Sequence, residues 1–409
     1  MVRNAVALMI SSGGTAVLGV VFWGIAAHLA TTTVVGRTSA EIAAMMLLAN
    51  IAQLSFGTLF ERFLPIAGNE TRRFVARAYA LCVAVALIVS TVYVITGLSN
   101  GFLPPGVQWR FLFVVVVMFW TIFVLQDSAL VGLRASKWVP VENILFAVVK
   151  LVLLSWLIDV SASQGIFLAW STPVVVMVIV VNVYLFKWRI PAHQLRVTPS
   201  ESLPSIREIS QLALAQYSTF LLAMFTPTIV ALIVLDRLGA IANAHYYLPA
   251  LIASGLSMFL WNIATSFIVE ASSEPASLHR HAITTMWTGI TVITPCVIIG
   301  VAFAPQLLRV FGATYALHGT TLLRMLLLSL PGSAVTIFYT SFAWLDKRVW
   351  WLAIRQLIIM VMYFALVLTL IGHFALLAVG IASLVTSGIQ GLVFLPVLIK
   401  RIQRIDVVS

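Results

Sequence analysis

The sequence predicts an all-α polytopic membrane protein, with about 12 transmembrane helices in two six-helix lobes. Three observations carry that expectation. First, the 409 residues are 61% hydrophobic and only 9% charged, where soluble domains are roughly 45–50% apolar and about 25% charged. Second, the apolar residues come in runs long enough to cross a hydrocarbon core, which takes about 20 residues per helix. Third, one polar, proline-containing stretch near the middle separates two sets of six runs. A mean hydropathy of +1.07 excludes a soluble globular enzyme, a coiled coil and a disordered chain.

In chain order, spans are expected near 4–29, 39–64, 76–97, 110–133, 140–160 and 164–187. Six more follow near 208–235, 239–269, 281–303, 316–344, 349–372 and 374–399. The first run is too long for the apolar centre of a cleavable signal peptide and leads into further spans. Runs such as 111–125 and 174–186 are apolar all round, as lipid-facing helices are. Trp109, Trp138, Trp188, Trp344, Trp350 and Trp351 fall at span ends, where amphipathic rings favour the headgroup layer. Bends are expected at Ser11-Ser12-Gly13-Gly14 in span 1, at Pro227 in span 7 and at Pro249 in span 8.

The basic residues orient these spans. One side collects Arg3, Arg62, Arg72, Arg73, Arg77, Arg134, Lys137, Lys187, Arg189, Arg196 and Arg207. It also holds Arg280, Lys347, Arg348, Arg355, Lys400, Arg401 and Arg404. The other side has only Arg37, Arg110, Arg237 and Arg309. Because cytoplasmic loops concentrate Lys and Arg, both termini and the central linker are expected in the cytoplasm. The formal charge of +11 is thereby a topology signal, and no nucleic-acid partner is implied.

The polar stretch sets the expected domain limits: a first lobe at 1–188, a linker at 189–207, a second lobe at 208–400 and a tail at 401–409. The lobes resemble each other weakly. Leu133-Arg134-Ala135-Ser136-Lys137-Trp138 after span 4 is matched, 212 positions on, by Leu345-Asp346-Lys347-Arg348-Val349-Trp350 after span 10. Each leads into an apolar run with a polar residue near its start, Asn143 or Arg355. Both repeats begin on the same side of the membrane, so they are parallel repeats, which place a substrate path between lobes.

Polar residues inside spans face protein or a wet cavity. Span 1 carries Ser12, Thr15, Gly19 and Trp23, and span 2 carries Asn50, Gln53, Gly57 and Glu61, all at helical spacing. Span 7 has Gln216, Tyr217 and Thr219, and span 8 has Asn243, Tyr247, Ser254 and Asn262. These stripes suit either close helix packing or the lining of a central cavity. Lys150, near mid-span, and Asp127 are candidates for an intramembrane charge pair, with a substrate or proton role for Lys150 as the alternative. His28 and His245 lie toward outer span ends, as packing residues or as anion contacts. Arg37 and Glu41 flank an outer loop and are either solvated or on the path.

No Walker A, HExxH, CxxC or GxSxG pattern occurs, so the expectation is no catalytic residue, no metal site and no cofactor. The first outer loop, 31–38, has no acid of the kind an integral glycosyltransferase presents. Cys82 and Cys296 sit in apolar runs and read as buried thiols.

Several segments resemble a known family. They are Trp23-Gly24-Ile25-Ala26-Ala27, Val35-Gly36-Arg37-Thr38-Ser39-Ala40 and Glu61-Arg62-Phe63-Leu64-Pro65 near the start. Later come Ala304-Pro305-Gln306-Leu307-Leu308, Phe311-Gly312-Ala313-Thr314-Tyr315 and Leu322-Leu323-Arg324. Together they resemble bacterial Wzx-type flippases for O-antigen and other lipid-linked oligosaccharides, within the multidrug/oligosaccharidyl-lipid/polysaccharide exporter superfamily. The resemblance implies a MATE-like exporter fold with spans 1, 2, 7 and 8 around a central cavity. It implies export of a polyprenyl-diphosphate-linked glycan across the bacterial cytoplasmic membrane by alternating access. Membrane lipid, glycosyltransferases and a polysaccharide polymerase are the further partners it suggests. Related lipid II flippases carry arginines in span 1, and this chain departs from them, with His28 as the cationic candidate there. The alternatives are a cation-coupled multidrug antiporter, needing an acid such as Glu41, Glu61, Asp127 or Glu270, and a non-transporting scaffold for a cell-wall enzyme.

Overall fold

The computed structural model describes residues 18–97, 103–160, 164–195, 226, 228–273, 278–345 and 349–406. Among them there is no β-strand, and ten helices are long and apolar enough to cross a membrane. The fold is the all-helical, polytopic type that the sequence predicts. In chain order the helices are α1 (Leu18–Leu29), α2 (Thr32–Ala52), α3 (Phe56–Phe63), α4 (Thr71–Ile95) and α5 (Val107–Gly132). Next come α6 (Trp138–Val160), α7 (Gly165–Tyr184), α8 (Ile190–Gln194) and α9 (228–238). The last six are α10 (Ala240–Ser273), α11 (Leu278–Ala302), α12 (Ala304–Arg309), α13 (Ala313–Leu345), α14 (Val349–Phe374) and α15 (Leu377–Asp406).

The chain forms two compact units, Met1–Leu232 and Ile233–Ser409. The sequence reading put the divide in the polar segment 189–207. The first part of that segment is instead helical and tied to the first unit. Arg189 Nη2 donates to the Leu133 carbonyl at 3.0 Å, His193 Nε2 meets the Leu64 carbonyl at 2.9 Å, and Gln194 Nε2 donates to the Asn69 carbonyl at 2.7 Å. Carbonyls at helix ends lack intrahelical donors, and these three side chains supply them. Residues 196–207, and most of expected span 7, lie outside the described residues.

In the first unit, α2 is the internal helix. Thr31 caps it, its hydroxyl accepting from the Val34 amide at 3.4 Å, and most of its length is buried. The expectation of one continuous span over 39–64 is corrected: the helix stops at Ala52 and restarts at Phe56. Leu54 and Ser55 stand at φ 48° and 62°, a left-handed conformation costly for residues with a Cβ. Below the break, Phe60 and Leu64 pack with Val75, Cys82, Leu125 and Leu130 in a buried cluster. Close approach matters there, because a Cβ on Gly132 would stand 2.4 Å from the Phe60 carbonyl oxygen. Small residues at membrane helix crossings allow such contact.

The second unit is built around α13, which is 33 residues long and contains Pro331. At its crossing with α15, a Cβ on Gly332 would meet the Ser387 carbonyl oxygen at 2.3 Å, and Gly391 approaches the same glycine. Pro249 lies within α10 without ending it. Arg324 is exposed and donates from Nε to the Val301 carbonyl at 3.1 Å, satisfying a helix-end acceptor. Cys82 and Cys296 are both free thiols.

Candidate functional site

The break in the second span assembles the first unit's polar face. Asn50 and Gln53 are brought together there, Gln53 Nε2 donating to Asn50 Oδ1 at 2.9 Å. The freed Gln53 carbonyl accepts from the Phe56 amide at 2.8 Å and from Cys82 Sγ at 3.5 Å. In a membrane, irregular backbone persists where protein or a wet cavity satisfies it. One turn into α3, Gly57 lies against Ser128, whose hydroxyl donates to Glu61 Oε1 at 3.1 Å. Asn50, Gln53, Gly57 and Glu61, expected as one stripe, therefore follow a helix, its interruption and a second helix.

Other candidates are placed differently. His28 is exposed, and its Nδ1 meets the Gly24 carbonyl of its own helix at 2.8 Å. Arg37 is exposed on the first turns of α2, while Glu41 one turn later is buried. Asn243 and His245 are buried at the start of α10. His245 stacks on His318 at 4.9 Å and meets Tyr315 edge-on at 5.4 Å. Its Nε2 and the Tyr315 hydroxyl are buried without hydrogen-bond partners. Asn262 is half-buried further along α10. Gln216 and Tyr217 lie outside the described residues.

The expected Asp127–Lys150 pair is not made. Asp127 Oδ2 accepts from Asn143 Nδ2 at 3.0 Å, and Lys150 lies seven residues, about 10 Å of helix rise, beyond Asn143. Lys150 is only 4% exposed. Its ammonium sits 3.8 Å from the Trp170 ring centroid, 5.0 Å from that of Phe146 and 5.1 Å from that of Phe22. Ring faces carry negative potential, so three aromatics from α1, α6 and α7 do the work assigned to a carboxylate.

A second polar cluster escaped the sequence reading. Gln126, fully buried on α5, donates from Nε2 to Glu142 Oε1 on α6. Asn182 on α7 donates to Gln126 Oε1 at 2.7 Å. Four buried oxygens there have no hydrogen-bond partner: Asp127 Oδ1, Glu142 Oε2, Asn182 Oδ1 and the Tyr79 hydroxyl. Tyr79 and Glu142 lie within electrostatic range of Asp127. The available signal was Gln126 and Asn182 standing inside otherwise apolar runs.

No family model matches the sequence, and no curated protein matches it. Solved structures do match in fold. The chain superposes on the lipid II flippase MurJ in an inward closed conformation with a TM-score of 0.67, at 12% identity, covering 100% of this chain and 90% of that one. A superfamily transporter from Pyrococcus furiosus, described as having a binding pocket of reversed polarity, gives 0.66 at 15% identity over 99% and 96%. An outward-facing multidrug resistance MATE transporter gives 0.62 at 16% identity over 99% and 96%. The similarity spans both units.

Proposed function

We propose that this chain is a flippase that moves polyprenyl-diphosphate-linked oligosaccharide from the inner to the outer leaflet of a bacterial cytoplasmic membrane, with both termini cytoplasmic. The observation that carries the reading is the interrupted second span, with Asn50 and Gln53 bonded to each other beside it. It occurs in a fold shared over full length with a lipid II flippase. A sugar diphosphate cannot enter hydrocarbon without losing its hydrogen bonds to water. Amide side chains at a helix break replace those bonds, and discontinuous helices are where membrane transporters hold polar cargo. The polyprenyl tail stays in lipid throughout.

The test is flipping of a labelled polyprenyl-diphosphate oligosaccharide in proteoliposomes, per folded protein. Gln53→Leu removes the donor to Asn50 and is expected to slow flipping about tenfold, the loss of roughly one hydrogen bond made only during transfer. Lys400→Ala, on the exposed last helix, leaves the rate unchanged. Equal rates in Gln53→Leu and the parent chain overturn the path, and proton- or sodium-driven efflux of a cationic dye without glycan flipping favours the antiporter. Buried Glu41 is the observation that keeps that second reading testable.

A further inference from the structure

Glu142 is 4% exposed. Its Oε1 accepts from Gln126, and among the described residues its Oε2 has no hydrogen-bond partner and no cationic side chain pairs with it. Asp127 lies within electrostatic range and brings a second carboxyl group. A buried carboxylate left this way lacks a donor. Glu142 also lines a cavity of about 500 Å³ between α6 and α7. The cavity is an open groove with an apolar wall that includes Leu145, Met177 and Val180, and Trp138, Tyr184 and Trp188 line it as well. The three rings contact in series, Trp138 to Tyr184 at 5.2 Å and Tyr184 to Trp188 at 6.2 Å.

We infer that this cavity binds a membrane phospholipid with a primary-ammonium headgroup, of the phosphatidylethanolamine class, its ammonium on Glu142 and its acyl chain along the apolar wall. Charge and shape together select that occupant. A metal ion needs several oxygen ligands, and the lining includes a single carboxylate. A quaternary ammonium suits the rings but cannot donate the hydrogen bond that Oε2 lacks. A primary ammonium does both. Exposed Lys137 and Lys187 precede Trp138 and Trp188 in the sequence and supply cations for a lipid phosphate beside those rings. Glu142 lies one helical turn, about 6 Å, inward of Trp138, within reach of an ethanolamine arm. Trp and Tyr at such a border are the usual headgroup-level anchors. The charge split along the sequence assigns this edge to the cytoplasmic leaflet.

The experiment is native mass spectrometry of the full chain in detergent, with equimolar phosphatidylethanolamine and phosphatidylcholine of identical acyl chains. The parent chain is expected to retain the ethanolamine lipid over the choline lipid by about tenfold, roughly one charge-assisted hydrogen bond. Glu142→Gln, which still accepts from Gln126, brings the ratio close to one. Leu145→Trp fills the cavity with the carboxylate intact and lowers retention of both lipids, so it decides the matter even where Glu142→Gln folds poorly. Equal retention of the two lipids by the parent chain, the result expected of a proton or a small cation on Glu142, overturns the inference. So does a preference that survives both variants.

Discussion

Helix α6 in the first unit and α14 in the second each carry a buried polar residue near the start, Glu142 and Arg355, and the two are buried by different chemistry. In the first unit, Glu142 and Asn143 join a chain of amides: Asn182 to Gln126, Gln126 to Glu142, Asn143 to Asp127. In the second, the residue 212 positions after Asn143 is Arg355, 8% exposed. Its guanidinium lies 5.9 Å from the Tyr339 centroid and 5.6 Å from that of Phe394, two rings stacked at 4.3 Å. Trp351 Nε1 holds Tyr339 by donating to its hydroxyl at 2.9 Å. Hydrogen bonds are directional, so each amide depends on the next one being in place. Ring faces offer a broad attraction that tolerates displacement. The first unit's solution is therefore brittle and the second's graded.

The largest effect follows from the brittle side. Gln126→Leu leaves both Glu142 oxygens without partners and takes one of two acceptors from the Asn182 amide, which keeps the Val178 carbonyl at 2.9 Å. It is expected to lower stability by about 3 kcal/mol, the range for breaking a buried charged hydrogen bond on one side. Thermal unfolding in detergent measures it. Adding Glu142→Leu recovers part of the loss, since removing both partners of a buried bond costs far less than removing one. A double variant as unstable as Gln126→Leu alone would show that the network does not act as a unit.

A smaller effect is expected at the aromatic site. Tyr339→Leu removes one of the two rings under Arg355 and strands the Trp351 N–H. The loss is about 2 kcal/mol, from weakened cation–π attraction and lost packing. Because Phe394 still faces the guanidinium, the fall is partial, and it sharpens the contrast if Gln126→Leu costs visibly more. A Tyr339→Leu loss exceeding that of Gln126→Leu would break it.

Much of this was legible in the sequence. Apolar runs of about 20 residues leave helices as the economical way to cross a bilayer, and the described spans overlap the runs placed for them, although α2 begins at Thr32, inside the expected outer loop 31–38. The matching flanks of Asn143 and Arg355 were also visible. The interruption at 53–55 was not, because Gln53-Leu54-Ser55-Phe56 contains neither glycine nor proline. Its left-handed residues are held by tertiary contacts such as the Cys82 thiol on the Gln53 carbonyl, which no local pattern encodes. The Gln126–Glu142–Asn182 cluster joins three helices, so each member looked like an isolated polar residue. Lys150 was read through its charge, which calls for an acid. Trp170, Phe146 and Phe22 stand on three different helices, so no local pattern pointed to their ring faces as partners for the ammonium.

The smallest effect is the one that separates charge pairing from ring burial inside the first unit. Were Lys150 bonded to Asp127, neutralising either would strand the other, at roughly 3–5 kcal/mol, and the double variant would recover. The geometry says otherwise: Asp127 is held by Asn143, and Lys150 by Trp170, Phe146 and Phe22. Lys150→Met gives up a cation–π attraction of about 2 kcal/mol when desolvated. It also relieves the cost of keeping an ammonium out of water. The two terms oppose, so the net change is expected within about 1 kcal/mol. Asp127→Asn acts on a separate hydrogen bond two helical turns away, so the double-mutant cycle should be additive within about 0.5 kcal/mol. Thermal unfolding of the parent chain, both single variants and the double variant closes the cycle. A coupling of several kcal/mol would restore the ion pair and make the first unit's handling of Lys150 unlike the second's handling of Arg355. Additivity would place both cations under one rule, with aromatic faces standing in for an acid.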